Sequence, residues 1–252
     1  MPDELNLTKG HPIALITGAG SGIGRAVAVM LSRQGWGLGL VGRSRERLEE
    51  SADLCRRDED DAPIAILTAD LADPASPARI MAWVESTFGR LDALVNNAGA
   101  GELHPIAETT SDLLQRTFAV NAFAPALLIA VAWPIFERQA RELTGAISPS
   151  IVNVTTMGTS DPFPGLFVYA ASKCALESYV RSLHNEGDRL GIRAFAVAPG
   201  AVETPLLRSV FSEATIARDR TLKPDVVAQV IVDCILGRRG REAGGTIRVP
   251  SR

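Results

Sequence analysis

The chain has 252 residues, 46% of them hydrophobic and 22% charged, which suits one large core, and its net charge of -3 offers nothing to attract nucleic acid or an anionic membrane. Three cysteines, Cys55, Cys174 and Cys234, stand far apart without paired or metal-ligand spacing, so neither a disulfide framework nor a metal site is expected. A reducing, cytoplasmic setting follows as the expectation, and the polar opening MPDELNLTKGHP carries no apolar signal core.

Seven short runs rich in Ile, Val and Leu are predicted strands, each buried on both faces: residues 13–16, 38–41, 64–67, 93–95, 151–154, 194–197 and 246–249. Helical patterning fills the intervals at 22–34, 45–57, 74–88, 111–137, 168–189 and 224–236. This alternation builds βαβ units, so the predicted fold class is α/β, a doubly wound and mostly parallel seven-stranded sheet with helices on both faces. No linker or repeat divides the chain, and residues 1–252 read as a single domain. Residues 117–136 are uncharged over twenty positions, the length of a membrane span. They also hold Asn121, Pro125 and Pro134 and lack a flanking Lys/Arg cluster, so a helix buried in a core or subunit interface is the reading adopted.

In such sheets ligands bind beyond the carboxyl ends of the strands. The first strand runs into Thr17-Gly18-Ala19-Gly20-Ser21-Gly22-Ile23-Gly24 and then a helix, an order that suits a pyrophosphate lying against backbone N–H groups at a helix start. The second strand ends in Val41-Gly42-Arg43-Ser44, with no carboxylate before Glu46 to hold a ribose 2'-hydroxyl. Arg43 can pair with a 2'-phosphate and Ser44 can donate to it, so NADP(H) is favoured over NAD(H), unless Arg43 is only a surface charge. Asp70, followed by Leu71, can accept from an adenine amino group or cap the next turn. Asn96-Asn97-Ala98-Gly99 after the fourth strand fits a close backbone approach to a ligand or a plain turn.

Of only two tyrosines and three lysines, Tyr169 and Lys173 lie one helical turn apart in Tyr-Ala-Ala-Ser-Lys, on one face. A fixed ammonium beside a phenol favours the phenolate and lowers its pKa, which makes a proton donor and acceptor for near-neutral pH.

TGAGSGIG at 17–24, Asp70, NNAG at 96–99, Asn121, YAASK at 169–173, and Pro199-Gly200 with Thr204 stand in the order and spacing of one family. The chain resembles the short-chain dehydrogenase/reductase family, of the 3-oxoacyl reductase kind, on a Rossmann fold. The resemblance implies hydride transfer between a nicotinamide and a carbonyl or alcohol carbon. Tyr169 is then the acid/base, with Lys173 holding the nicotinamide ribose and lowering the Tyr169 pKa. Asn121 matches the family's helix-interrupting Asn, which supports a proton relay through water, or is a buried amide satisfied by backbone. Leu71, Asn97, Ala98, Gly99, Pro199, Gly200, Val202 and Thr204 fall beside the cofactor. The family's usual serine, thirteen residues before the tyrosine, is here Thr156, which keeps a hydroxyl for the carbonyl but adds a crowding methyl. Thr155 should face the other side.

Residues 203–220 read as a lid with an apolar underside or as core packing, and Met157, Phe163, Phe167 and Leu206 are expected to line an apolar pocket. The ending GGTIRVPSR lacks the Asp-Gly-Gly common in the family, which leaves tetramer assembly through the last strand open; helices 111–137 and 168–189 are candidates for a dimer interface. The expected protein is a cytoplasmic homodimer or homotetramer, an NADP(H)-dependent reductase of small apolar carbonyl compounds or the reverse oxidant, with no nucleic-acid or membrane partner. The alternatives are a dinucleotide-binding regulator with weak or no catalysis and an NAD-dependent alcohol dehydrogenase.

Overall fold

A computed structural model describes residues 10–56, 61–142 and 148–251. Successive strand residues point to opposite faces of a sheet, and that alternation divides the interior in two. In β1 (Ile13–Thr17), Ala14 and Ile16 join one core and Ile13 and Leu15 the other, all fully buried. The remaining strands are β2 (Gly37–Gly42), β3 (Ile64–Thr68), β4 (Ala93–Asn96), β5 (Ser150–Val154), β6 (Arg193–Pro199) and β7 (Thr246–Val249). They form one parallel sheet of order β3-β2-β1-β4-β5-β6-β7.

Each of the seven predicted strands is present. Burial on both faces holds for β1, β4 and β5, but β3 is only half-buried and β7 alternates, with Arg248 exposed between Ile247 and Val249. Both are edge strands, so each has one neighbour in the sheet instead of two.

Helices cover the two faces. On one side, α1 (Gly22–Ser32) and α8 (Pro224–Ile235) pack through Val27, Ala28, Leu31, Val227 and Ile231. On the other, α3 (Ser76–Phe88), α5 (Ala124–Glu142) and α6 (Phe167–Gly187) contribute Ile80, Leu128, Phe136 and Val180. The remaining helices are α2 (Arg45–Cys55), α4 (Ser111–Phe118) and the short α7 (Pro205–Val210). The predicted start of α3 shifts from 74 to 76, and residue 57, the predicted end of α2, lies outside the described residues.

The largest departure is in the predicted helix 111–137. It is two α-helices joined by a π turn at Ala119–Phe123. Pro125 has no N–H to bond the carbonyl of Asn121 four residues back, so the α ladder cannot continue through this point. The run Ser111–Arg141 is long and apolar enough to cross a membrane by length and composition. Its inner face is nevertheless core, with Leu128, Ala132 and Phe136 fully buried, while Phe123 and Leu127 remain 55% and 42% exposed.

The chain proceeds from β1 outward to β3, then crosses back to lay β4 on the other side of β1. That reversal opens a crevice beyond the carboxyl ends of β1 and β4.

Candidate active site

The crevice is a cleft of about 800 Å³ that runs along the carboxyl ends of the strands. At its β1 end, the side chains hold protein to protein. Thr17 Oγ1 accepts from the N–H groups of Asn97 (3.0 Å) and Ala98 (3.1 Å), and Asn97 Nδ2 donates to the carbonyls of Thr17 (2.9 Å) and Gly18 (3.2 Å). Gly18 has φ +67°, and a Cβ there would sit 2.8 Å from Asn97 Nδ2. A Cβ on Gly24 would fall 2.4 Å from the Gly18 carbonyl, so this helix start and this turn can meet only as glycines. Ser21 caps α1 in an extended conformation with no side-chain bond to the helix, and the first turn carries no acid. The α1 start is therefore left to an anion, as a dinucleotide pyrophosphate requires. Gly20, Ser21, Gly22 and Ile23 line the cleft here; Thr17 and Gly24, expected to touch the cofactor, do not, because each is turned inward onto protein.

Two residues support this turn from outside and were not anticipated. Arg25 donates to the Gly20 carbonyl (2.6 Å) and to Ser51 Oγ (2.9 Å), and Ser51 donates to the Ala19 carbonyl.

Beyond β2, Gly42, Arg43, Ser44 and Arg47 line the cleft, whereas Glu46 does not. Ser44 is the N-cap of α2 and accepts from Arg47 N–H (3.3 Å). Arg43 is exposed and makes no hydrogen bond or ion pair with a described residue. Arg47, one helical turn further on, was legible as a second cation but was not singled out. Asp70 and Leu71 line the wall beyond β3; Asp70 Oδ1 accepts from Ala72 N–H (2.9 Å), so one oxygen caps the turn and the other has no partner among the described residues.

The reacting end is built on α6 and the end of β5. Tyr169 and Lys173 both line the cleft. Lys173 is 3% exposed and donates to the Val154 carbonyl (3.0 Å); burial pulls its ammonium down to about 8. Tyr169 is half-buried, open toward the cleft but otherwise enclosed, and burial pushes its phenol up to about 12. This corrects the expected sign: among the protein's own groups, desolvation outweighs the neighbouring ammonium, which is directed at Val154. Thr156, just beyond β5, accepts from Gly158 N–H (3.2 Å) and keeps its own hydrogen to donate into the cleft. The Thr155 hydroxyl is turned away to the Val197 carbonyl (3.3 Å), as strand alternation predicts.

Asn121 is fully buried and does not line the cleft. Its Oδ1 accepts from Ala100 N–H (2.8 Å), and its Nδ2 donates to the Ala100 carbonyl (2.8 Å) and Ser172 Oγ (3.0 Å). Its amide hydrogens are all engaged, so a relay cannot run through the side chain; the amide instead fixes the loop after β4 against α6. Ala98, Gly99 and Asn97 line the cleft from that loop.

Pro199, Gly200, Val202 and Thr204 form the wall after β6. Thr204 caps α7 by accepting from Leu207 N–H (3.1 Å). Behind Gly200 lies Ser251, whose Oγ accepts from Ala201 N–H (3.3 Å) and which also lines the cleft; nothing in the local sequence signals this contact. Met157, Phe163 and Leu206 line the opposite wall, and Phe163 packs edge-on against Phe211 at 4.9 Å. Phe167 does not line it, because the first residue of α6 points to solvent and is 50% exposed. Residues 203–220 are tied down at their base. Arg208 forks onto Glu203 (2.9 and 2.5 Å) and donates to the Ile216 carbonyl (2.7 Å), while Val202 pairs with Leu222. The Arg208 hydrogen bond is the first cause holding the Glu203 carboxyl below its ordinary range.

Residues 12–215 match the model of the short chain dehydrogenase family. The chain is a short-chain dehydrogenase. Relatives of this dehydrogenase include an uncharacterized oxidoreductase of Thermotoga maritima, 36% identical over 76% of this chain and 72% of that protein. Levodione reductase of Leifsonia aquatica is 32% identical over 78% of this chain and 72% of its own. Among solved structures, 3-ketoacyl-(acyl-carrier-protein) reductase from Brucella melitensis, complexed with NADH, superposes with a TM-score of 0.85 at 28% identity, covering 94% of this chain and 96% of that one. Short-chain dehydrogenases act between alcohol and carbonyl carbons with a nicotinamide dinucleotide, and this chain is such an oxidoreductase. Its glycine turn, open helix start and facing Asn97–Gly99 loop fit that cofactor.

Proposed function

We propose that this dehydrogenase reduces small, largely apolar ketones or aldehydes with NADPH, as a homo-oligomer in the cytoplasm. The observation that carries the reading is that Tyr169, Thr156 and Lys173 line the same cleft, with Lys173 bonded to Val154 two residues before Thr156, together with the apolar Met157, Phe163 and Leu206. The bound nicotinamide supplies the hydride. Thr156 donates a hydrogen bond to the carbonyl oxygen and polarises it. Tyr169 would give its phenolic proton to the carbonyl oxygen, so that with the hydride such a cofactor would supply, one carbonyl, one hydride and one proton give one alcohol.

The Tyr169 phenol, pushed up to about 12 by burial, is protonated at neutral pH and so carries the proton that reduction needs. Lys173, held near Gly99 and Val154, places a cation under the reacting end that steadies the phenolate left behind. Replacement of that proton through water is part of this proposal, with Asn121 supporting it by holding the Ala100 loop against Ser172.

Arg43, Arg47 and Ser44 at the β2 end, with no carboxylate lining that place, support NADPH over NADH. Fluorescence titration with each dinucleotide, followed by NADPH consumption against ketones, aldehydes and 3-oxoacyl thioesters, tests the proposal. Tighter NADPH binding with turnover is expected; equal affinity for both dinucleotides, or binding without turnover of any carbonyl, would count against it.

A further inference from the structure

We infer that Asp161 makes this enzyme selective for carbonyl substrates that carry a positive charge at the end remote from the carbonyl, and unfavourable to anionic ones. The inference rests on the reductase reading above.

Among the described residues, five charged side chains line the cleft. Arg43, Arg47 and Asp70 belong to the β2–β3 end and Lys173 to the reacting centre, which leaves Asp161 as the carboxylate on the substrate side. It sits on the same short turn as Thr156. That turn is closed by Thr159 N–H to the Thr156 carbonyl (3.2 Å) and by the Ser160 and Asp161 N–H groups to the Met157 carbonyl (3.0 and 3.1 Å). Thr159 Oγ1 also donates to Glu177 on α6 (2.7 Å). The carboxylate is thus held on a tied turn at a set remove from the hydroxyl that meets the carbonyl.

Among the described residues none neutralises it. Asp161 makes no side-chain hydrogen bond or ion pair with a described residue. Of the nearby cations, Arg248 donates to Ser160 Oγ (3.1 Å) without reaching Asp161 within ion-pair distance, and Arg208 is turned to Glu203. Glu177 adds a second negative charge behind the turn, and Glu102 is paired with His104. The remaining wall is apolar, and the rings of Phe163 and Phe211 offer faces that attract cations as well as hydrocarbon. A lone carboxylate beside apolar walls is least well hydrated where a substrate would cover it, and an ammonium group relieves that cost where a carboxylate or phosphate would add to it. Recognition is then by two points: the carbonyl at Thr156 and Tyr169, the cation at Asp161, with an apolar body between.

The test uses one ketone skeleton ended in three ways: trimethylammonium, its neutral tert-butyl isostere, and carboxylate. Both kcat/KM with NADPH and calorimetric binding are measured for the intact protein and for Asp161→Asn and Asp161→Lys. The expected result is a preference of about threefold to fivefold for the trimethylammonium ketone over its isostere, the upper range of what an exposed charge pair supplies, since Asp161 is itself exposed. Asp161→Asn should remove the preference while the isostere keeps its kcat/KM, and Asp161→Lys should turn it toward the carboxylate. A preference unchanged in Asp161→Asn, or an intact enzyme that favours the isostere, overturns the inference. If no ketone is turned over but the trimethylammonium compound binds in an Asp161-dependent way, the reductase reading fails and the cation site stands; if binding ignores Asp161, the site fails whether or not turnover is seen.

Discussion

At the β1 end of the cleft, Thr17, Asn97, Arg25 and Ser51 use their side chains on the protein itself and leave a backbone turn toward the ligand. At the substrate end, Met157, Asp161, Phe163 and Leu206 line the wall, and three of them are exposed: Asp161, Phe163 at 46% and Leu206 at 36%. One end is defined by backbone shape that few substitutions can reproduce. The other is defined by side chains that can be exchanged without disturbing what lies beneath. A shared cofactor and a private substrate are separated by that difference.

The comparison can be broken most severely at Gly24. With 2.4 Å between an added Cβ and the Gly18 carbonyl, Gly24→Val should weaken dinucleotide binding by about a hundredfold or more and lower the melting temperature by several degrees, since overpacking costs about 1–3 kcal/mol. Leu206→Ala at the other end should leave dinucleotide affinity and melting unchanged and shift only the ketone KM. Equal effects on dinucleotide binding from both variants would erase the contrast. Next in size, Arg43→Ala should weaken NADPH by about tenfold to a hundredfold, the worth of a charge-assisted hydrogen bond, and leave NADH nearly untouched. Paired titrations read this directly, and parallel losses would return Arg43 to a surface charge.

A third variant addresses the open face of α5. Leu127→Glu places a charge where an apolar side chain is 42% exposed, and sedimentation should show the proposed oligomer dissociating; an unchanged assembly would move the interface elsewhere. The smallest effect is on stability. Lys173 has a pKa of about 8 in the fold against 10.5 ordinarily, so between those values the unfolded chain binds more protons and stability rises with pH. Cys55 and Cys234, raised to about 11 and about 12 from 9.0, act oppositely, because above pH 9 the unfolded chain releases their protons first. Urea midpoints should therefore rise only slightly between pH 8 and 9, by the equivalent of about 0.3 kcal/mol once the two thiols are set against the lysine, and then fall. Lys173→Met should lose the rise and keep the fall; a rise that persists would mean the lysine is not the group responsible.

How much of this was legible in the sequence depended on how local the cause is. Apolar runs bounded by turn residues marked all seven strands, and the helical spacing of Tyr169 and Lys173 was visible because one turn of one helix decides it. The glycine turn was equally readable. The π turn was legible only through the resemblance, which marks Asn121 as interrupting a helix; the uncharged run itself suggested one unbroken helix, although Pro125 is the local cause of the break. The sign of the Tyr169 shift escaped for a different reason: proximity to an ammonium can be read from spacing, whereas desolvation depends on everything packed around the ring. Ser251 behind Gly200, Arg25 beneath Gly20 and Phe211 against Phe163 are contacts between distant segments, and no periodicity announces them. Phe167 shows the converse, a residue adjacent to the reacting helix turn that the helix points outward.

The central claim is that Tyr169 delivers the proton in carbonyl reduction while the dinucleotide is held by groups elsewhere. The most direct measurement is NADPH consumption near neutral pH with an active ketone, by the intact protein and by Tyr169→Phe, with NADPH affinity taken on the same samples. The account predicts a fall of about a hundredfold or more in kcat, the usual contribution of a general acid, with NADPH affinity essentially unchanged. Turnover retained in Tyr169→Phe, or lost together with NADPH binding, would contradict it.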